Sequence, residues 1–180
     1  DLGFFTEKDG WDAGVSDMHR LHELLTAEHP ELPCFLFGHS MGSFLTRTYL
    51  IKYPGELTGA IICGTGQQSP ALVGAGSAMA KVVCALRGAK HKSNMLNNTA
   101  FGAYNKGFEP IRTSCDWLSR DEANVDKYVA DPLCGFVPTA GLFRDMMGGI
   151  KFITDQKNID KMDKDKPIYF MSGDCDPVGE

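Results

Sequence analysis

The chain has 180 residues, of which 43% are hydrophobic and 23% charged, and a net charge of −5. That length and balance suit one globular domain or a large piece of one. The acidic balance, with lysine and arginine scattered, excludes a general nucleic-acid binder, which would show a basic face. Six cysteines stand at 34, 63, 84, 115, 134 and 175. None has CxxC or zinc-finger spacing, so no metal and no organic cofactor is implied. Cys34 and Cys63 lie inside apolar runs and read as small core residues, which fits a reducing, cytoplasmic compartment. No run of 18 apolar residues marks a transmembrane helix.

In chain order, residues 9–29 read as a helix. Trp11, Val15, Met18, His22 and Leu25 fall on one face, Asp9 is the expected N-cap and Pro30 the stop. The apolar run 34–38 lacks alternation, as a parallel strand buried on both faces does. Residues 41–53 return to helical character, and 57–63 make a second buried strand. The stretch 67–165 is too long for a plain loop and reads as a helical insertion. Within it, Met79, Val82, Val83 and Leu86 form one apolar stripe, and Leu142, Phe143, Met146, Met147 and Ile150 another. Ser119 and Glu122 have capping-box spacing ahead of a segment that stops at Asp131-Pro132. Residues 167–172 make a third strand. Alternation of this kind predicts an α/β fold with a mostly parallel sheet and flanking helices. The expected division is a core over 1–66, a cap over 67–165 and a return to the core over 166–180.

The chemistry is carried by Gly38-His39-Ser40-Met41-Gly42, a GxSxG motif directly after a buried strand and before a helix. This is the context of a nucleophile elbow. Ser40 must sit on a sharp, strained turn that aims Oγ away from the sheet. Gly38 and Gly42 are expected to leave room where a side chain would strike the neighbouring strand or helix. The backbone N–H of Met41 is then free to receive an oxyanion. After the third strand comes Ser172-Gly173-Asp174-Cys175-Asp176-Pro177-Val178. With a Ser, acid, His order, the acid belongs in this loop at the carboxyl end of a strand. Asp176 is the first choice and Asp174 the second; both could instead simply shape a turn.

These residues give the resemblance. GHSMGS at 38–43, SGDCDPVG at 172–179 and DWLSRDEANVDKYVADPLCGF at 116–136 resemble the monoacylglycerol lipase and lysophospholipase group of α/β-hydrolases, with similarity across the whole chain. The resemblance implies a partial α/β-hydrolase fold with a helical cap. It implies a serine hydrolase of carboxylic esters, monoacylglycerol or lysophospholipid first among them. It also places the family's HG oxyanion segment before Asp1 and its catalytic histidine after Glu180. The expectation is of a chain cut short at both ends and inactive alone.

The five histidines fit that expectation. His19, His22, His29, His39 and His91 all precede Asp176, so none has the triad order. His39, as the x of GxSxG, should point away from Oγ and pack beside the elbow. His19, His22 and His29 read as surface or helix-packing residues and His91 as solvent-exposed. Phe143, Met146 and Met147 could line an apolar tunnel for an acyl chain, since methionine adapts to flexible ligands, or could simply pack the cap onto the core. The expected partner is a lipid-like ester, with transient membrane-surface contact through the cap and no nucleic acid. The alternatives are a small-ester, thioester or peptide hydrolase of the same fold, or a non-catalytic relic should the chain truly end at 180.

Overall fold

The computed structural model describes residues 2–179. Three strands, β1 (Phe35–His39), β2 (Gly59–Cys63) and β3 (Ile168–Met171), form a parallel sheet in the order β1-β2-β3. Phe37 pairs with Ile61, and Ile61 with Tyr169. Helix α1 (Gly10–Glu28) leads into β1, and α2 (Met41–Lys52) joins β1 to β2. The expected alternation of helix and strand is therefore present, and the fold is α/β.

Because side chains alternate along a strand, the register sorts the sheet into two faces. Leu36, Ala60, Ile62 and Ile168 join the main core with Trp11 and Val15 of α1 and Phe44, Tyr49, Leu50 and Ile51 of α2. The other face carries Phe35, Phe37, Tyr169 and Met171, each 45–64% exposed. The run at 34–38 is thus buried on one face only, contrary to its uniform hydrophobicity. No helix among the described residues covers the second face. Cys34 and Cys63 are both half-buried, Cys34 packed against the main core, and all six cysteines are free thiols.

Helix α1 buries Trp11, Val15 and His22 as its spacing predicts, while Leu25 stays exposed. The Trp11 indole N–H donates to Thr48 Oγ1 at 3.0 Å, which locks α1 to α2. Asp9 occupies the N-cap position, but it sits at φ 53° and its side chain makes no capping bond. Its carbonyl instead accepts from Ala13 N–H at 2.9 Å.

Residues 67–165 hold five α-helices, α3 (Pro70–Arg87), α4 (Asn94–Phe101), α5 (Glu122–Ala130), α6 (Ala140–Thr154) and α7 (Gln156–Ile159), besides two short 3-10 turns. Each of the five α-helices starts on a side-chain cap. Ser69, Ser93, Asp121, Thr139 and Asp155 accept from a backbone N–H two or three residues on. The cap of α5 is Asp121, not Ser119. Ser119 Oγ accepts from Asp121 N–H at 3.1 Å, one step before the helix begins. The α3 stripe is also rotated from expectation. Val73 and Ala80 are buried, whereas Val82 and Leu86 are 57% and 77% exposed. The face is set by close approach to α6, where a Cβ on Gly76 would meet Met147 Sδ at 3.2 Å. Helix α3 is long and apolar enough to cross a membrane by length and composition alone, and 17% of it is buried. Its valines, leucines and alanines are interrupted by Gly74, Gly76, Ser77 and Lys81, so the sequence shows no unbroken apolar run.

Helix α6 carries most of the packing inside the insertion. Leu142, Phe143, Ile150 and Ile153 are buried. Ile150 and Ile153 belong to the main core, Phe143 to a second cluster with Ala80, Leu96 and Ala140, and Met146 touches both. Gly149 lies flat against the Trp11 indole, where any side chain would overlap the ring.

The outer edges of β1 and β3 are unpaired within the described chain, and the face between them is apolar. Such surfaces template association. The 180-residue chain expressed alone is expected to bind a hydrophobic dye and to self-associate. Dye fluorescence with size-exclusion chromatography measures both, and a monodisperse, dye-silent monomer would contradict the expectation.

Candidate active site

The junction of β1 and α2 holds Ser40 at φ 54° and ψ −121°, a region that residues with side chains rarely occupy. Its N–H donates to the Cys63 carbonyl at 3.0 Å, which anchors the turn to β2. Serine at a helix N-cap ordinarily uses its hydroxyl to cap. Ser40 stands at the N-cap of α2, and its side chain makes no capping bond. Ser43 does work nearby instead: its Oγ donates to the Ser40 carbonyl at 2.5 Å. The Ser40 hydroxyl thus stays clear of the helix, and Met41 is the first helical residue with its N–H at the positive end of α2.

The two motif glycines have different reasons. A Cβ on Gly38 would overlap Thr46 Oγ1 and the Gly42 carbonyl, so β1 and α2 could not approach as they do. Nothing among the described residues lies within 4 Å of a Cβ on Gly42. The steric argument holds for Gly38 and fails for Gly42, whose backbone angles also demand no glycine.

After β3, the loop 172–179 folds against the segment 64–66. Gly64, at φ +55°, donates its N–H to the Met171 carbonyl at 2.9 Å. A Cβ there would lie 3.2 Å from Asp176 Oδ2 and 3.4 Å from His39 Nε2. A bare backbone at Gly64 therefore lets Asp176 and His39 converge on one corner beside the elbow. Asp176 is half-buried, and its carboxylate accepts from Ser172 Oγ and from Val178 N–H, both at 3.0 Å. Asp174 points elsewhere. It is exposed and paired with Arg120 of the insertion at 2.6 Å, which holds its carboxyl below the ordinary range. The loop thus gives its two carboxylates different surroundings.

The family model described as serine aminopeptidase, S33, matches residues 5–180. The chain belongs to this hydrolase family. It is 30% identical over 141 residues to a monoacylglycerol lipase of Mycolicibacterium smegmatis, covering 74% of this chain and 42% of that protein. Among solved structures it is similar to a thermostable carboxyl esterase from Bacillus coagulans in complex with glycerol. The TM-score is 0.85 and the identity 27%, over 94% of this chain and 55% of that one. A soluble variant of monoglyceride lipase from Saccharomyces cerevisiae gives a TM-score of 0.65 at 18% identity, over 99% of this chain and 55% of that one, a likeness of fold. The chain therefore spans about half the length of these relatives. The α/β-hydrolase fold expected from the motifs is the fold observed.

In this S33-family chain the remaining expected residues are placed as follows. Phe143 is buried against Phe101, with ring centroids 6.1 Å apart, and Met147 lies against Gly76, so both have packing partners. Met146 is half-buried between the two clusters. His19 packs between helices, its Nδ1 3.1 Å from Tyr49 Oη and its ring stacked 3.8 Å from Tyr53. His22 is buried beside it, His29 and His39 are exposed, and His91 is half-buried rather than open. Among the described residues no group of histidine, cysteine, aspartate and glutamate could hold a metal ion.

Four residues near the site escape the motif. Ser172 and Gly64 orient or admit Asp176. Arg120 engages Asp174. Arg47 on α2 donates to Thr65 Oγ1 at 3.3 Å and the Gly66 carbonyl at 3.1 Å, and burial lowers its pKa. Only Ser172 carried a signal, a hydroxyl four residues from the acid.

The contacts at Gly38 generate a prediction. Gly38→Ala is expected to destabilise the fold by about 1–3 kcal/mol through overpacking against the Gly42 carbonyl and Thr46. Denaturant melts of the two proteins measure the difference. An unchanged midpoint would show that the elbow has slack.

Proposed function

We propose that this chain supplies the nucleophile and the acid of a carboxylic ester hydrolase, with monoacylglycerol or lysophospholipid as substrate. The observation that carries the reading is the strained, uncapped Ser40 at the head of α2, with Asp176 held on the neighbouring loop. The similarity to a monoacylglycerol lipase supports the choice of substrate.

On this reading Ser40 Oγ attacks the ester carbonyl while a histidine takes its proton. The tetrahedral oxyanion receives the Met41 N–H and a second donor. Collapse expels the alcohol, which takes the proton from the histidine, and leaves an acyl group on Ser40. A water activated by the same histidine then releases the fatty acid. Asp176 orients the histidine through its Nδ1–H. Because all five histidines of the chain precede Asp176, the base is proposed to come from beyond these residues, as the order Ser, acid, His requires. The second oxyanion donor is proposed to come from the segment before Asp1.

Asp176 is favoured as the acid because its two bonds leave it facing the corner of Gly64 beside the elbow. Asp174 is already neutralised by Arg120. Phe143, Met146 and Met147 remain the proposed contacts for the acyl chain, the two methionines being half-buried and Phe143 buried. Leu72, Val82 and Leu86 on the outer side of α3 are 57–77% exposed and support transient contact with a membrane surface. A small-ester hydrolase is the second reading, favoured by the likeness to the carboxyl esterase. A series of aryl esters separates the two, since a lipase improves from short to medium or long acyl chains.

In the complete polypeptide a fluorophosphonate probe is expected to label Ser40, and Ser40→Ala to lose both labelling and esterase activity while keeping its melting temperature. Labelling that survives the substitution would sink the assignment. Asp176→Asn is expected to lower kcat by roughly 10⁴-fold, the scale for a triad histidine left in the wrong tautomer. Asp174→Asn should cost far less. Steady-state kinetics of the two variants decide, and the reverse order would move the acid to Asp174.

A further inference from the structure

The part of the insertion between α4 and α5 is built around one carboxylate. Asp116 accepts from the N–H groups of Arg112 and Thr113 at 2.6 and 2.9 Å, and from Thr113 Oγ1 at 2.6 Å. Asn105 ties the two halves of this lobe together. Its Nδ2 donates to the Thr113 carbonyl at 2.6 Å and its Oδ1 accepts from Trp117 N–H at 3.0 Å. Tyr104 packs edge-on against Trp117 with centroids 4.9 Å apart, and Arg112 reaches Asp126 of α5 at 2.8 Å. The lobe is pinned internally from 104 to 126.

Arg120 projects from this pinned lobe. Its guanidinium lies 2.6 Å from Asp174 Oδ1 and 3.6 Å from Cys175 Sγ, across 54 residues of sequence to Asp174. Asp176 stands two residues further on. Tyr104 of the same lobe also senses that loop, since its hydroxyl is pushed up by burial and then by the Asp176 charge.

We propose that the Arg120–Asp174 pair is a latch between the cap lobe and the acid loop, which makes Arg120 a positioning residue for Asp176. The inference rests on the reading of Asp176 as the acid. Both side chains are largely exposed, so the pair adds little to global stability. Its effect is local. The loop 172–179 is short, and the carboxylate of Asp176 is held there by two hydrogen bonds. A charged bond to an internally rigid lobe fixes where that loop sits and registers the cap over it. Loss of the bond shifts the fraction of molecules with the acid in place and leaves the fold unchanged.

The test uses four versions of the complete polypeptide: the natural protein, Arg120→Asp, Asp174→Arg and the two reversals together. Each single reversal opposes like charges and is expected to lower kcat by about fivefold, the upper scale of an exposed pair. The double reversal restores the pair and is expected to return kcat to within about twofold of the natural protein at low salt, the defect of each single shrinking at high salt as screening removes the pair. Melting temperatures should agree across all four. Hydrogen–deuterium exchange over 172–179 should quicken in the single reversals and recover in the double. Arg120→Gln, which removes charge without reversing it, should quicken exchange less. A double reversal no better than the worse single, or exchange over 172–179 indifferent to Arg120, would overturn the latch. The exchange readout needs no catalysis. Failure of Ser40 labelling would thus remove the ester-hydrolase reading and leave the latch to be judged on exchange, whereas intact labelling with no rescue would remove the latch alone.

Discussion

Ser40 holds a backbone conformation that costs on the order of 1–3 kcal/mol for a residue with a side chain, and the elements around it are arranged to hold it there. The bond from its N–H to Cys63 ties the turn to β2, and Ser43 fastens its carbonyl from inside α2. Gly38 lets strand and helix close to a distance that any Cβ would forbid. The parallel sheet supplies the rigid platform beneath, with Trp11 bonded to Thr48 and Tyr49 buried behind α2. Relaxing the turn would require breaking several of these contacts together. The strain is therefore over-determined by its surroundings, which is how such conformations persist at functional sites.

The second half of the site is placed by a chain of backbone contacts rather than by a motif. Arg47 reaches from α2 to the segment 65–66, and the loop 172–179 packs on the same segment. Side chains at Gly64 or Gly66 would crowd Asp176 Oδ2 or the Val178 carbonyl. The helix with Ser40 at its head is thus bonded to the segment on which the loop carrying Asp176 packs. A half-buried guanidinium bonded to neutral oxygens is a costly device for that purpose, since desolvation opposes its charge. Both bonds leave from the one nitrogen Nη1, so a single donor atom ties α2 to the hydroxyl of Thr65 and the carbonyl of Gly66.

What could be read from the sequence divides by range. The elbow was legible because strand, Gly38, Ser40 and helix are contiguous and their steric demands are local. The parallel sheet with covering helices followed from the alternation of elements. Burial of both faces at 34–38 did not follow, because it depends on what covers Phe35 and Phe37, and hydrophobicity alone is silent on that. The choice between Asp174 and Asp176 was open for the same reason: Arg120, which separates their environments, lies 54 residues before Asp174. The cap at α5 shifted from Ser119 to Asp121 because two adjacent residues can both offer an oxygen, and backbone geometry selects one. Gly42 shows the reverse error. A motif position can be glycine without any clash among the described residues to explain it.

Helix α6 belongs to the insertion by chain order and to the sheet layer by packing, with Met146 in contact with both hydrophobic clusters. Gly149 lets it rest directly on Trp11. This sharing bears on how the chain could be recombined with a relative. Grafting a relative's insertion by cutting at its two sequence boundaries would replace Ile150 and Ile153, and with them part of the core under α2. A chimaera that exchanges the chain only as far as α5 and keeps the native α6 would transplant the rest of the insertion while leaving the packing beneath α2 in its own register.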